Sequence, residues 1–254
     1  MTDSFVIIVP ARSGSTRLPN KPLAMINGRT VISRIIDLAN SSNASNVYIA
    51  TDSNDIKDHC ESCDANVVMT SSNHLSGMDR IAEAARVLDL HQDTPIVNLQ
   101  GDEPFMPVQI INQLPTLLTS DTPIATACIK FSDSMDFNSP HEVKVVRSKS
   151  KKAMYFSRAV IPNSFTDEYK NHLKHLGIYS YTNETLQALS KLKPTLNEES
   201  EKLEQLRFLD NGFNIIVEDF EYDAPIGIDT PEDLEAAIIF AKKNIFHLLI
   251  RIAI

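Results

Sequence analysis

Phe5-Val-Ile-Ile-Val-Pro-Ala-Arg-Ser-Gly-Ser-Thr-Arg-Leu-Pro-Asn-Lys-Pro-Leu23 is the stretch whose reading decides the fold. Its first five residues form a continuous apolar run, the pattern of a strand buried on both faces of a parallel sheet. A Gly/Ser/Arg/Pro loop follows. Ligands of such sheets sit at the carboxyl ends of strands, so this loop stands where a ligand binds. Gly14 permits close backbone approach, and Ser13, Ser15 and Thr16 supply hydroxyls. Arg12, Arg17 and Lys21 concentrate positive charge there. That combination suits a polyphosphate. The loop has neither the GxxxxGK[ST] nor the GxGxxG spacing, so P-loop NTPase and dehydrogenase readings lose support. A solvated turn is the plainer alternative, and charge alone does not exclude it.

Outward from this loop, short β-rich runs alternate with helical stretches, which predicts an α/β fold. Thr30–Asn40, Asn54–Cys63 and Asp79–Leu88 carry helical spacing. Val47–Thr51, Asn66–Met69 and Pro95–Leu99 read as the strands between them. After about residue 120 the rhythm loosens. Ile124–Ile129, Val143–Val146, Ala153–Arg158 and His175–Tyr181 look like strands, with a polar stretch at Asn163–Lys174. We expect one domain over 1–254, with a smaller lobe at about 130–210. Phe213–Val217 returns to strand. Thr230-Pro-Glu-Asp opens a last helix, with Thr230 as N-cap, Pro231 in the first turn and Asp233 as the capping-box acid.

The bulk numbers agree with a globular protein. The chain has 254 residues and 43% hydrophobic content, enough for a real core. A net charge of −9 argues against a nucleic-acid surface and makes the few local cations informative. Three cysteines, Cys60, Cys63 and Cys128, are too few for a disulfide scaffold and suit a reducing cytoplasm. Cys60 and Cys63 have CxxC spacing but lack the second pair of a zinc ribbon, so they read as helix cysteines. The start Met1-Thr-Asp-Ser does not read as a signal peptide. The apolar tail 245–254 is about half a membrane span and carries Arg251, so it reads as a docked helix or strand of the kind that forms subunit contacts, with a membrane-surface anchor as the alternative.

Further segments carry chemistry. Gln100-Gly-Asp102-Glu103-Pro104 follows a strand and points an acid toward the same crevice as the first loop. Phosphoryl and nucleotidyl transfer need a divalent cation held by a few carboxylates, and Asp102 is the best candidate. The alternative is an ordinary acidic turn. Asp229 precedes a helix; it is either a helix-favouring acid or a second metal ligand. In His74-Leu-Ser-Gly-Met-Asp-Arg80, backbone N–H groups at Ser76 and Gly77 are placed to read a base edge or a phosphate, with Arg80 in the first turn. Arg158 is a natural partner for a carboxylate, whereas a lone histidine such as His175 is more often structural.

Taken together, these segments resemble the 3-deoxy-D-manno-octulosonate (Kdo) cytidylyltransferase family, the CMP-Kdo synthetases. The matching pieces are IVPARSGSTRLPNKPL (8–23), YIATD (48–52), MTSSNHLSG (69–77), VNLQGDEP (97–104), VKVV (143–146), YFSRAVIP (155–162), HLGIY (175–179), LEQLR (203–207) and GIDTPEDLE (227–235). The resemblance implies a Rossmann-like nucleotide-diphospho-sugar transferase fold with a mostly parallel central sheet. It also implies a cytoplasmic homodimer without a membrane span or nucleic-acid partner. The implied reaction is CTP plus Kdo to CMP-Kdo plus pyrophosphate, feeding lipopolysaccharide synthesis. Catalysis falls on Arg12, Lys21, Asp102 and Asp229, with Mg²⁺ on Asp102 and Asp229. CTP contacts fall on Arg12, Ser15, Lys21, Ser76, Gly77 and Arg80. Sugar contacts fall on Gln100, Arg158, His175, Tyr179 and Glu204. Four departures stand out. Asn20 replaces a glycine, implying a left-handed conformation that Asn tolerates. Met78 replaces a threonine. Asn163 replaces an aromatic, and the connection after it is short. The last two leave room for a modified sugar such as 8-amino-Kdo, or a sialic-acid-like one. A non-catalytic nucleotide-binding protein is the reading from a different class.

Overall fold

The computed structural model describes residues 4–14, 17–74, 76–132, 135–163, 165, 172–222 and 227–252, with the backbone alone for 244–252. Ser15 and most of the 163–174 connection lie outside the described residues.

Strand β1 (Val6–Ala11) lies at the heart of the sheet, between β4 (Asn46–Thr51) and β6 (Pro95–Asn98), and runs parallel to both. Beyond β4 comes β5 (Asn66–Met69), also parallel. On the other side β10 (Leu173–Thr182) pairs antiparallel with β6 and with β7 (Ile124–Lys130), and β7 pairs parallel with β11 (Ile215–Phe220). The main order is β5-β4-β1-β6-β10-β7-β11, in which β10 alone is reversed; β2 (Met25–Ile26) and β3 (Arg29–Thr30) form a separate antiparallel hairpin. The continuous apolar run at the N-terminus now has its reason. Ile7, Val9 and Ala11 enter one core layer and Val6 and Ile8 the other, so neither face of β1 meets water.

The first layer is closed by helices α1 (Val31–Asn40), α2 (Asn54–Glu61) and α4 (Val108–Gln113), and by the start of the last helix, α8 (Pro231–Ile252). The second is closed by α3 (Gly77–Val87), α5 (Asn183–Leu189) and α7 (Gln205–Asp210). Thr30 caps α1 by accepting the Ser33 N–H at 3.1 Å, as Thr-x-x-Ser at a helix start allows. α3 begins two residues before its expected start, because the Ser76 hydroxyl accepts the Asp79 N–H. α2 ends two residues early, leaving Cys63 beyond it. At α8, Asp233 accepts from Thr230 N–H at 2.9 Å and Thr230 Oγ1 accepts from Asp233 N–H at 3.2 Å, the expected capping box.

A hairpin of β8 (Lys144–Arg147) and β9 (Ala153–Ser157) branches from the start of β10. Its tip folds back on β11, where Val217 N–H donates to Lys151 O at 2.8 Å and Arg147 pairs with Asp219. Within the stretch expected to form a lobe, β10 therefore runs through the middle of the main sheet. The helices of that stretch went unread: α5, α7 and between them α6 (Leu196–Glu201), whose Thr195/Glu198 capping box is legible as T-x-x-E.

Candidate active site

Asn20 adopts φ 53°, ψ 32°, the left-handed conformation implied at that position. The turn it makes is fixed by Leu23 N–H to Asn20 O at 2.9 Å and Ala24 N–H to Lys21 O at 3.0 Å. It aims Lys21 at the carboxyl end of the sheet. There Lys21 Nζ donates to Asp102 at 2.8 Å and to Asp229 at 3.0 Å. Arg17 pairs with the second oxygen of Asp229 at 3.2 Å. Burial works against the Lys21 charge, but the two carboxylates outweigh it and hold the ammonium above its ordinary range.

Backbone contacts hold these groups together. Ile228 N–H donates to Asp102 O at 2.9 Å, tying the loop after β6 to the segment before α8. Asp229 N–H donates to Asp233, so the capping acid of α8 also fixes Asp229. Gly101 permits the approach to the first loop, since a Cβ there would lie 2.5 Å from Pro10 O. Glu103, beside Asp102, does not line the cleft, and its Oε2 is buried. Burial and the Asp102 charge push its carboxyl up to about 8. Of the two neighbouring acids, Asp102 is thus the one presented to a ligand.

The cleft has a volume of about 340 Å³, within the range of small-ligand pockets. Arg12, Arg17, Lys21, Ser76, Gly77, Arg80, Gln100, Asp102 and Asp229 all line it. The first loop, both acid-bearing loops and the start of α3 thus converge, which spacing alone did not show. Arg80 is almost fully buried and committed to Thr70 at 2.6 Å and Asp52 at 2.7 Å, so it forms wall as well as charge. His74 also lines the cleft and was not singled out in the sequence; neither its type nor its spacing marks it.

A second cavity of about 30 Å³ is lined by Met78, Asn98, Tyr179, Tyr181, Glu204, Gln205 and Phe208. Two bonded pairs join it to the cleft: Gln100 Nε2 donates to Asn98 at 2.9 Å, and Ser76 interacts with the Glu204 carboxyl. Burial pushes that carboxyl up although Ser76 pulls it down, and Glu204 Oε1 is buried without a hydrogen-bond partner among the described residues. Tyr181 was missed, yet period-two alternation from Tyr179 along β10 would have found it.

The remaining two expected sugar contacts lie outside both linings. His175 is buried, bonded to Thr126 Oγ1 at 3.0 Å and packed edge-on against Phe156; burial pulls its pKa down to about 3, so it is neutral. Arg158 donates to the carbonyls of Glu201, Pro140 and Lys202.

A parallel sheet with one reversed strand, and a cation-rich cleft holding two carboxylates at its carboxyl end, define a nucleotidyltransferase. A cytidylyltransferase family model matches residues 6–220. The chain belongs to that family and, within it, to the 3-deoxy-manno-octulosonate cytidylyltransferases. It is 44% identical to the enzyme of that name from Polynucleobacter necessarius subsp. necessarius over 236 residues, covering 91% of this chain and 93% of the relative. With the enzyme from Herminiimonas arsenicoxydans it shares 44% identity over 240 residues, covering 91% and 96%. Among solved structures it matches CMP:2-keto-3-deoxy-manno-octonic acid synthetase complexed with CTP, at TM-score 0.87 and 35% identity, covering 95% of this chain and 99% of that one.

Proposed function

We propose that the protein transfers the cytidylyl group of CTP to 3-deoxy-D-manno-octulosonate. The observation that carries this reading is the meeting of Lys21, Asp102 and Asp229 beside Arg12 and Arg17. In the proposed reaction the anomeric hydroxyl of the sugar acid attacks the α-phosphorus in line and gives up its proton to solvent. The bond from that phosphorus to the bridging oxygen breaks, and pyrophosphate leaves with the electron pair. Arg12, Arg17 and Lys21 bind the triphosphate, and the backbone N–H groups at Ser76 and Gly77 serve the nucleotide at the start of α3.

The donor set fits Mg²⁺. Two carboxylates converge on one cation, Lys21, and magnesium characteristically takes one or two carboxylates and fills its other positions with phosphate and water. When bound to Asp102 and Asp229 it would polarise the α-phosphate and neutralise the developing charge.

The second cavity has room for little more than one hydroxyl, so the sugar body sits in the cleft and reaches Glu204 and Tyr179 with one group. Among the described residues Arg158 uses three of its five donors, which leaves two for the sugar carboxylate. Arg158→Ala should raise the sugar KM with little change in kcat; an unchanged KM would remove it from the site. Family membership also supports a homodimer built through the lobe at about 130–210, a cytoplasmic location, and supply of CMP-Kdo to lipopolysaccharide synthesis. Among the described residues, no helix is long and apolar enough to cross a membrane.

Pyrophosphate release tests the proposal, with CTP, Mg²⁺ and Kdo, and with 8-amino-Kdo and N-acetylneuraminate in parallel. Release with Kdo is expected. Release with N-acetylneuraminate alone would displace Kdo, and no release with any sugar would leave a nucleotide-binding protein.

A further inference from the structure

The connection from β5 to α3 forms one wall of the cleft, and two side chains of α3 hold it in place. Arg80 and Glu83 lie three residues apart and share a helix face. Arg80 donates to Thr70 Oγ1 at 2.6 Å. Glu83 accepts from Ser71 N–H at 2.9 Å and pairs with His74 Nε2. Burial works against the Glu83 charge, but Ser71 and His74 outweigh it and keep its carboxyl below the usual carboxylate range. His74 is thus gripped at one ring nitrogen, and it lines the cleft with its side chain only 19% exposed.

This grip sets the chemistry of the other nitrogen. An ionised carboxylate only accepts, so Nε2 carries the proton, and in the neutral imidazole Nδ1 is an acceptor. The cleft is otherwise rich in donors: Arg12, Arg17, Lys21 and Arg80. Its carboxylates are engaged by Lys21 and Arg17 at the phosphate end, and Gln100 donates its Nε2 to Asn98 and keeps its Oε1 beside Gly77, so His74 is the ring acceptor on the wall between β5 and α3. Cytosine presents an exocyclic amine, a donor pair, where uracil presents a carbonyl acceptor. We propose that His74, oriented by Glu83, accepts a hydrogen bond from the exocyclic amine of the nucleobase and so selects CTP over UTP. This rests on the reading that a cytidine nucleotide occupies the cleft.

Titration calorimetry of the full chain with CTP and with UTP tests it without any sugar. The wild type should bind CTP more tightly. His74→Ala should lower the CTP-over-UTP affinity ratio about tenfold, the worth of one hydrogen bond, and Glu83→Ala should lose as much. The double variant should lose no more than either alone, because the two residues act as one unit. His74→Asn, whose amide oxygen stands in for Nδ1, should keep most of the ratio. A merely structural role would weaken both nucleotides alike. An unchanged ratio in a folded His74→Ala variant would overturn the assignment, as would equal loss in His74→Asn. If pyrophosphate release fails with every sugar acid while the ratio still falls in His74→Ala, the sugar reading fails and this one stands.

Discussion

Asp102, Asp229 and Lys21 come from three distant points of the chain and meet within 3.0 Å of one nitrogen. Removing one carboxylate charge leaves Lys21 bonded to the other, so Asp102→Asn and Asp229→Asn should keep the fold and cut turnover by orders of magnitude. Near-normal turnover at saturating Mg²⁺ in either variant would remove that residue from the metal site. Gly101 bears on the same point. Its Cβ would strike Pro10 O, a backbone atom that has no rotamer to move out of the way. Gly101→Ala should destabilise the protein by about 1–3 kcal/mol, read from the urea midpoint, and lower turnover with it. Residue types and their places after strands made Asp102 and Lys21 legible in the sequence, and the family resemblance made the turn at Asn20 so. His74 was not, because a histidine in a polar connection has no local signature, and its partner Glu83 lies beyond a turn and within the next helix.

Among the elements, α8 does more than close a core layer. Its capping acid, Asp233, holds the backbone N–H of Asp229 as well as that of Thr230. Asp233→Ala should therefore cost about 1 kcal/mol of stability as a lost cap and also slow turnover by loosening Asp229. Thermal unfolding and kcat read the two effects; a stability loss with unchanged kcat would mean that Asp229 is held by other contacts. The cap was legible because Thr-Pro-Glu-Asp is a local signal. So was α1, from apolar spacing. The short helices α5, α6 and α7 were missed because six or seven residues give too few turns for a period to emerge. Strand β10 was read as a strand, but its place in the middle of the sheet is set by pairings with β6 and β7 that no local pattern reveals.

At the scale of the whole molecule, an acidic chain with a net charge of −9 gathers cations at one cleft. Its two cleft carboxylates are already paired with Lys21 and Arg17. Fold stability should thus be independent of a divalent cation, whereas turnover should require one. Treatment with EDTA should abolish pyrophosphate release, added Mg²⁺ should restore it, and the thermal midpoint without nucleotide should not move. A midpoint that falls on chelation would mean that a metal is part of the folded core. The alternation of β1 between two core layers was predictable from five apolar residues, while the convergence of four loops on one cleft came only with the topology. That convergence is tested most directly by anomalous diffraction from crystals grown with CTP and Mn²⁺ in place of Mg²⁺. The predicted result is a manganese peak in contact with the carboxylates of Asp102 and Asp229, with the triphosphate lying against Arg12 and Lys21. A peak held by other residues, or a triphosphate bound away from this cleft, would contradict it.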